Sequence, residues 1–471
     1  MRCRRFVPED QRRFADLAGD YNPIHTDPLA ARRLIFGSTV VHGIHSVLWA
    51  LDNWLQGKAA SVELNSVRAN FSKPIRVGEE VVYSPAREED GAVEIDLLVS
   101  GSVATNLKFN WSRSNRHDAD LPSQGHPERG ECRSLSPDEV EEASGSLQLY
   151  LDRDACASLF QFVARMLPPL QVAQLLAISR LVGTECPGLH SILSGFELSF
   201  DAETSVSSAL AYEATKLARR LGLVSMEVVS PGMTGSVAAI IRPGSQEQAD
   251  FADLQEQVVR DEFVGQRALI VGGSRGLGEV TAKILAAGGA DVSITYHRGL
   301  ADARRVVDEI VAGGGAVSAF QLDVLDQSLN LSDKLVGGWR PTHLYYFATP
   351  HIFSAQDGVF SPALFDRFCD FYVTGFLNVV NQLEGLGLRK LFYPSTVAIE
   401  ELPSNMGEYA SAKRAGELLC TFLEKNSRDL TIYQPRLPRL ATDQTVTLLP
   451  AANQRPAPTM LEHLRHLRDL C

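Results

Sequence analysis

The stretch Val271-Gly-Gly-Ser-Arg-Gly-Leu-Gly-Glu279 constrains the fold of this 471-residue chain more than any other. It follows the apolar run Ala268–Val271 and opens a segment, Val280–Ala287, with helical periodicity. Strand, glycine turn and helix in that order make a phosphate-binding crossover. Gly272 permits the tight turn, Gly276 lets the backbone approach a pyrophosphate, and Gly278 lets helix and strand pack closely. The helix N-terminus then faces the phosphates.

Further elements follow in order. Asp291–Tyr296 reads as a second strand, followed by His297 and Arg298. Phe320–Asp323 ends a third strand on an acidic residue, and Leu391–Ser395 ends another on Ser395. Tyr409 and Lys413 then lie four apart on a helical segment, which puts them on one face. There the ammonium is expected to lower the tyrosine pKa and make Tyr409 a usable proton donor.

Roughly residues 264 to 445 thereby resemble the short-chain dehydrogenase/reductase family, and most closely its 3-oxoacyl-thioester reductases. The resemblance implies a Rossmann-type doubly wound α/β parallel sheet. It implies that Ser395 hydrogen-bonds the substrate carbonyl, Tyr409 gives the proton, and Lys413 also holds the nicotinamide ribose. The cofactor-binding set it implies is Gly272, Ser274, Arg275, Gly276, Leu277, Gly278, Arg298, Asp323, Val324 and Ala348, with Tyr409 and Lys413. Asp323-Val324 resembles the adenine contact. An acidic residue after the second strand would favour NAD, whereas His297-Arg298 and Arg275 suit a 2′-phosphate, so NADPH is expected. The chain departs from the family at Tyr346-Phe-Ala-Thr349, where Asn-Asn-Ala-Gly is usual, and at Tyr372, where an asparagine is usual. Pro435-Arg-Leu-Pro-Arg439 replaces a Pro-Gly. Arg436 and Arg439 there either meet a phosphate of cofactor or phosphopantetheine, or are surface arginines.

A chain of this length holds two or three domains. Polar stretches at 112–134 and 244–261 punctuate it. The expected division is 1–112, a linker 113–134, a second part 135–243, a linker 244–263, and the nucleotide-binding part 264–471. The first two parts share a layout: an apolar helix (His42–Leu55; within Ala157–Val182) and then strand-like runs. In the first, these are Ser61–Phe71, Glu80–Tyr83, Val93–Val99 and Thr105–Trp111; in the second, Ser191–Phe200, Ser207–Tyr212, Val224–Val229 and Gly235–Arg242. Each predicts an antiparallel sheet wrapped around a central helix.

The first part carries Asp20-Tyr-Asn-Pro-Ile-His25. Asn22-Pro23 forms a turn, and Asp27-Pro28 is a helix N-cap followed by proline, so the motif lies in a loop. Such a loop can hold Asp20 and His25 toward a common point as a general acid–base pair. With Gly37-Ser-Thr-Val-Val-His-Gly43, residues 1–112 resemble the MaoC-like (R)-specific enoyl-thioester hydratases and 3-hydroxyacyl-thioester dehydratases, which have the hot-dog fold. The resemblance implies that Asp20 and His25 add or remove water across a Cα–Cβ bond, that the Gly43 amide polarises the thioester carbonyl, and that Asn22 supports the loop. His45 reads as packing or surface. The second part lacks the motif, and the resemblance to the family's double hot-dog proteins implies a degenerate hot-dog that completes the sheet and acyl tunnel. Cys186-Pro-Gly188 there is expected as a turn with a structural His190, against an alternative thiol site of Glu185, Cys186 and His190.

Together the resemblances imply a bifunctional 3-oxoacyl-thioester reductase and 3-hydroxyacyl-thioester dehydratase acting on carrier-protein or CoA thioesters in fatty-acid or polyketide processing. The alternatives are a single-activity ketoreductase with a non-catalytic hot-dog half, or a nicotinamide-binding interaction protein. The net charge of −12 argues against general nucleic-acid binding. Seven scattered cysteines without a C-x-x-C pair suggest reduced thiols and no metal site. The start Met1-Arg-Cys-Arg-Arg5 lacks the apolar region of a signal peptide, and Leu159–Val182 is broken by Arg165, Pro168, Pro169 and Arg180. A cytoplasmic protein without membrane contact is expected, and the two resemblances imply a homodimer.

Overall fold

Alternation along the strands decides the first half of the chain. In Ala92–Val99 the side chains of Val93, Ile95 and Leu97 are buried, and in Ser102–Arg113 those of Leu107 and Phe109, while the alternate residues Lys108 and Asn110 are exposed. One face is thus apolar and needs a cover, as an antiparallel sheet with one solvated face does. The cover is the helix Gly43–Leu55, buried almost all round through Ile44, Val47, Leu48, Leu51 and Leu55. The computed structural model describes residues 2–89, 91–114, 129–201, 208–355, 357–448 and 451–470. Most of the 113–134 linker, and Ser207 at the start of an expected strand, lie outside them.

The chain forms two compact units that divide after Gly244. The strands of the first are β1 (Arg2–Arg5), β2 (Val62–Phe71), β3 (Glu80–Glu89), β4 (Ala92–Val99), β5 (Ser102–Arg113), β6 (Ser144–Gln148), β7 (Ser191–Phe200), β8 (Ala209–Ala218), β9 (Leu223–Ser230) and β10 (Met233–Ile241). They form one ten-stranded sheet in the order β1-β3-β4-β5-β2-β7-β10-β9-β8-β6. The two expected halves meet at β2 and β7, paired antiparallel with Val67 opposite Leu198. The second half's helical region is broken into Arg153–Leu159, Gln161–Met166 and Pro169–Arg180, and it ends in a π-helical turn, Leu181–Glu185. The architecture is a double hot-dog, as expected.

The second unit holds a six-stranded parallel sheet of β11 (Arg267–Val271), β12 (Asp291–Tyr296), β13 (Ala316–Gln321), β14 (His343–Tyr346), β15 (Lys390–Phe392) and, after the short β16 (Ser395–Thr396), β17 (Thr431–Tyr433). Its order is β13-β12-β11-β14-β15-β17, and β16 pairs separately with β18 (Arg436–Leu437). Ala268 to Val271 are all buried, because helices cover both faces of a parallel sheet. This is the doubly wound α/β fold.

The stretch 244–263 is not a linker along its length. Phe251, Leu254, Val258 and Phe263 are buried in the same core cluster as Ile270 and Val280. Its polar neighbours hid four buried apolar anchors. Nearby, Lys283 is fully buried, donates to the Ala249 carbonyl at 3.0 Å and pairs with Glu279 at 2.9 Å and Glu309 at 2.8 Å.

Candidate active sites

The first site grows from the loop after the helix Pro8–Ala18, which Gly19 closes in the left-handed conformation. Asn22 caps the next turn, its Oδ1 accepting from the Ile24 N–H at 3.2 Å. Its Nδ2 reaches across to the second half and donates toward the carbonyls of Gly183, Gly188 and Leu189 at 3.0, 3.2 and 3.3 Å. Asn22 therefore does support the loop, and it does so by gripping the π-helical turn and the Gly188-Leu189 backbone beyond it.

Asp20 is buried, and its carboxylate accepts from Ser179 Oγ at 2.7 Å and from the Asn22 N–H at 3.2 Å. His25 Nδ1 lies 2.8 Å from the Val40 carbonyl, which can only accept, so Nδ1 carries the proton and Nε2 keeps its lone pair. The His25 ring stacks on His42 with centroids 3.9 Å apart. Ligand-type atoms of Asp20, His25 and His42 all lie within 4.8 Å of one another. Both His42 nitrogens are engaged, by Gln11 Oε1 and by the Asp20 carbonyl, each at 3.0 Å, which leaves no open ligand set for a metal ion. Burial raises the Asp20 pKa and lowers that of His25, and in each case outweighs their mutual attraction. Asp20 is thereby biased toward the acid and His25 toward the neutral base.

Both line a cavity of about 180 Å³, with Gly43 and Phe71 from the first half and Ser179 and Ile192 from the second. Gly43 is the first residue of its helix, so its N–H has no acceptor within that helix. The structure places Asp20, His25 and Gly43 on one cavity with Asn22 next to Asp20, and it adds Ser179, His42 and Gln11, which the sequence motifs do not name. His42 had a signal in its place beside Gly43; Ser179 had none. His45 is fully buried and stacked on Phe14, which makes it packing. Burial pushes the Cys186 thiol up to about 11, so Glu185, Cys186 and His190 do not form a thiolate site.

In the second unit, Gly272 has φ +84° and a Cβ there would lie 3.0 Å from the Phe347 backbone; a Cβ on Gly278 would lie 2.2 Å from the Gly272 carbonyl. The turn is thus pressed onto the strand end Phe347–Ala348, and the helix Gly276–Ala287 starts from it just after the buried Ser274. Its open N–H groups fit a dinucleotide's pyrophosphate. Arg298 is exposed just beyond β12, with no acidic residue at that strand end. His297 Nε2 lies 3.5 Å from Asp323, and Val324 is buried against Gly375. Arg275 is shared with Asp443 at 3.4 Å, so its charge is partly committed within the chain.

Three expectations about the reductase-like residues are corrected. First, Ser395 does not face Tyr409: its hydroxyl donates to Glu417 at 2.6 Å, and Tyr409 is hydrogen-bonded to Thr396. Neighbours on a strand point to opposite faces, so one residue's difference selects the other face. Second, Lys413 does not lower the Tyr409 pKa. Burial pushes Tyr409 up to about 12, against the Thr396 hydrogen bond. Third, Lys413 Nζ is not open to a ribose. It donates to the Pro394 carbonyl at 2.7 Å and lies 4.1 and 4.8 Å from the ring centroids of Tyr372 and Tyr393. Burial brings its pKa down to about 7. Arg436 and Arg439 are also occupied: Arg436 forks onto Glu417 at 2.8 Å and reaches Glu400, and Arg439 donates to the Thr445 carbonyl. Burial works to raise the Glu417 pKa, but Arg436, Ser395 and Arg414 hold it down to about 2.

Two family descriptions match the chain: the MaoC like domain over residues 2–105 and short chain dehydrogenase over residues 266–381. The chain joins a MaoC-like dehydratase domain to a short-chain dehydrogenase domain. Among its relatives is 3-hydroxyacyl-thioester dehydratase X of Mycobacterium tuberculosis, 37% identical over 71 residues, which are 15% of this chain and 24% of that one. Another is the 3-oxoacyl-[acyl-carrier-protein] reductase of Synechocystis, 46% identical over 62 residues, 13% of this chain and 25% of that one. The chain spans about a quarter of the length of the curated relatives it matches. A short chain dehydrogenase from Burkholderia cenocepacia, solved in complex with NADP, is 27% identical with a TM-score of 0.35 over 39% of this chain and 78% of its own. Among the described residues, no helix is long and apolar enough to cross a membrane.

Proposed function

We propose that the protein is a bifunctional 3-oxoacyl-thioester reductase and 3-hydroxyacyl-thioester dehydratase. The observation that carries this is the cavity in which Asp20, His25 and the Gly43 helix start face an apolar chamber. In the dehydration direction, His25 Nε2 takes the proton from C2, and that electron pair forms the C2–C3 double bond. The thioester oxygen draws charge toward the Gly43 N–H meanwhile. The C3 hydroxyl leaves as water with a proton from Asp20, and proton return from His25 to Asp20 restores both groups. The acid and the neutral base that this requires are the forms burial favours.

In the second unit, the Gly272–Gly278 turn would hold the pyrophosphate of NADPH and Arg298 its 2′-phosphate. A nicotinamide held there would supply the hydride for reduction of a β-carbonyl carbon. Tyr409 gives the proton to the carbonyl oxygen, and Thr396 takes the place expected of Ser395 in holding it. The two reactions are consecutive, since the 3-hydroxy product of one is the substrate of the other.

The test is to mix the purified protein with NADPH and a short 3-oxoacyl thioester and follow NADPH loss and product mass. NADPH consumption with a product lighter by one water than the 3-hydroxy thioester supports both sites. Consumption that stops at the 3-hydroxy thioester reduces the hot-dog half to an acyl-binding module. No consumption, with water still lost from added 3-hydroxyacyl thioester, leaves the protein a dehydratase alone.

A further inference from the structure

The caged Lys413 leaves the ribose contact expected of it to some other group, and its surroundings hold a candidate. Tyr372 is fully buried on a π-helical segment, Asp370–Gly375. Its ring forms one wall of the Lys413 cage, and its backbone carbonyl accepts from Tyr393 Oη, the other wall, at 3.1 Å. Its hydroxyl lies 2.6 Å from Thr349 Oγ1, which is itself 3.0 Å from the Pro350 carbonyl. A carbonyl can only accept, so Thr349 donates to Pro350 and Tyr372 donates to Thr349. The Thr349 oxygen keeps a lone pair, and Thr349 is exposed. The segment that leads into it, Phe347–Ala348, is the strand end pressed against Gly272 of the nucleotide turn. A fixed, exposed hydroxyl acceptor therefore stands one residue beyond the segment that is pressed against the nucleotide turn.

We propose that Thr349, oriented by Tyr372, contacts the ribose hydroxyls on the nicotinamide side of the cofactor, in place of Lys413. This rests on the reading of the second unit as a nucleotide binder. Tyr372 acts through Thr349 and is a positioning residue. Lys413 becomes an internal prop: it ties the strand end at Pro394 to two aromatic walls and makes no cofactor contact. Two departures from the family pattern then belong together, because a tyrosine at 372 is long enough to reach a threonine at 349 and its ring is what encloses the lysine.

The test is fluorescence titration of the full-length protein with NADPH and, separately, with adenosine 2′,5′-bisphosphate, which lacks the nicotinamide ribose. Thr349→Val and Tyr372→Phe are compared with the wild type, and thermal melting confirms that each variant folds. Each is expected to weaken NADPH by about fivefold to tenfold, the worth of one hydrogen bond, and to leave the bisphosphate within twofold. A structural role alone would weaken both ligands together or neither. If NADPH binds both variants as tightly as the wild type, or if both ligands weaken equally, the assignment of Thr349 is overturned while nucleotide binding stands. If the wild type binds neither ligand, the nucleotide-binding reading itself falls, and the assignment with it.

Discussion

Ser179 Oγ donates to Asp20 Oδ2 at 2.7 Å inside the protein, and so a residue of the second hot-dog half holds the acid of the first. The half without the Asp-x-Asn-Pro-x-His motif is thus part of the site. Loss of this bond removes both a positional restraint and an interaction that lowers the Asp20 pKa. Ser179→Ala is expected to cut kcat/KM for water elimination by about threefold to tenfold, as loss of a hydrogen bond to a neutral acid does. It should also move the alkaline limb of the rate profile upward. Rates of 3-hydroxyacyl-thioester dehydration against pH check both; an unshifted limb at full activity would sink the assignment.

Gly183 is restricted by the same carboxylate. A Cβ at that position would lie 2.1 Å from Asp20 Oδ1, with the other carboxylate atoms close behind. The π-helical turn brings the backbone there, and only glycine leaves room. Gly183→Ala should displace Asp20 and lower dehydration by more than about a hundredfold, because misplacement by an ångström can cost that much. NADPH oxidation with a 3-oxoacyl thioester should be retained, since Gly183 belongs to the first unit. If dehydration survives, Asp20 does not need its observed position.

Opposed shifts at Asp20 and His25 set the pH dependence of dehydration. The Asp20 pKa is raised, so the acid form is lost as pH climbs through that value. The His25 pKa is lowered, so the neutral base is lost as pH falls through that one. The active form lies between them, and the profile of kcat/KM should be a bell whose apparent limits belong to the coupled pair. Initial rates across the neutral range test this. A rate that rises steadily with pH would mean that Asp20 works as a carboxylate and not as the acid.

The parts legible in the sequence were those that the local backbone dictates. The Gly272–Gly278 turn and the Asn22-Pro23 loop need particular residues at fixed offsets, so each motif announces its own geometry. Ser179 could not be found in that way: it is 159 residues from Asp20, in an apolar helix whose pattern says only that it is buried. The 244–263 stretch misled because Phe251 and Leu254 are outnumbered by acidic and amide neighbours. Tyr409 and Lys413 do share a helix, but their spacing carries no information about Pro394, Tyr372 and Tyr393, which decide where the ammonium goes.

Ser395 and Thr396 differ by one position and point to different chemistry. Ser395 belongs to a buried network in which Glu417 accepts from Ser395 at 2.6 Å and from Arg436 at 2.8 Å, tying the helix Gly407–Asn426 to β16 and β18. Thr396 alone meets Tyr409. A hydroxyl positioned on the reacting oxygen is worth about a hundredfold or more in kcat. Thr396→Val, which keeps the shape of the side chain, is therefore expected to reduce NADPH-dependent reduction by about that factor with little change in melting temperature. Ser395→Ala should behave in the opposite way. It leaves Glu417 one donor short, which costs about 1–3 kcal/mol of stability in the second unit, and changes the rate only a few-fold. Steady-state rates and thermal unfolding of the two variants separate these outcomes. If Ser395→Ala abolishes reduction while Thr396→Val does not, the hydroxyl pair must rearrange when substrate binds, and the geometry seen here is not the catalytic one.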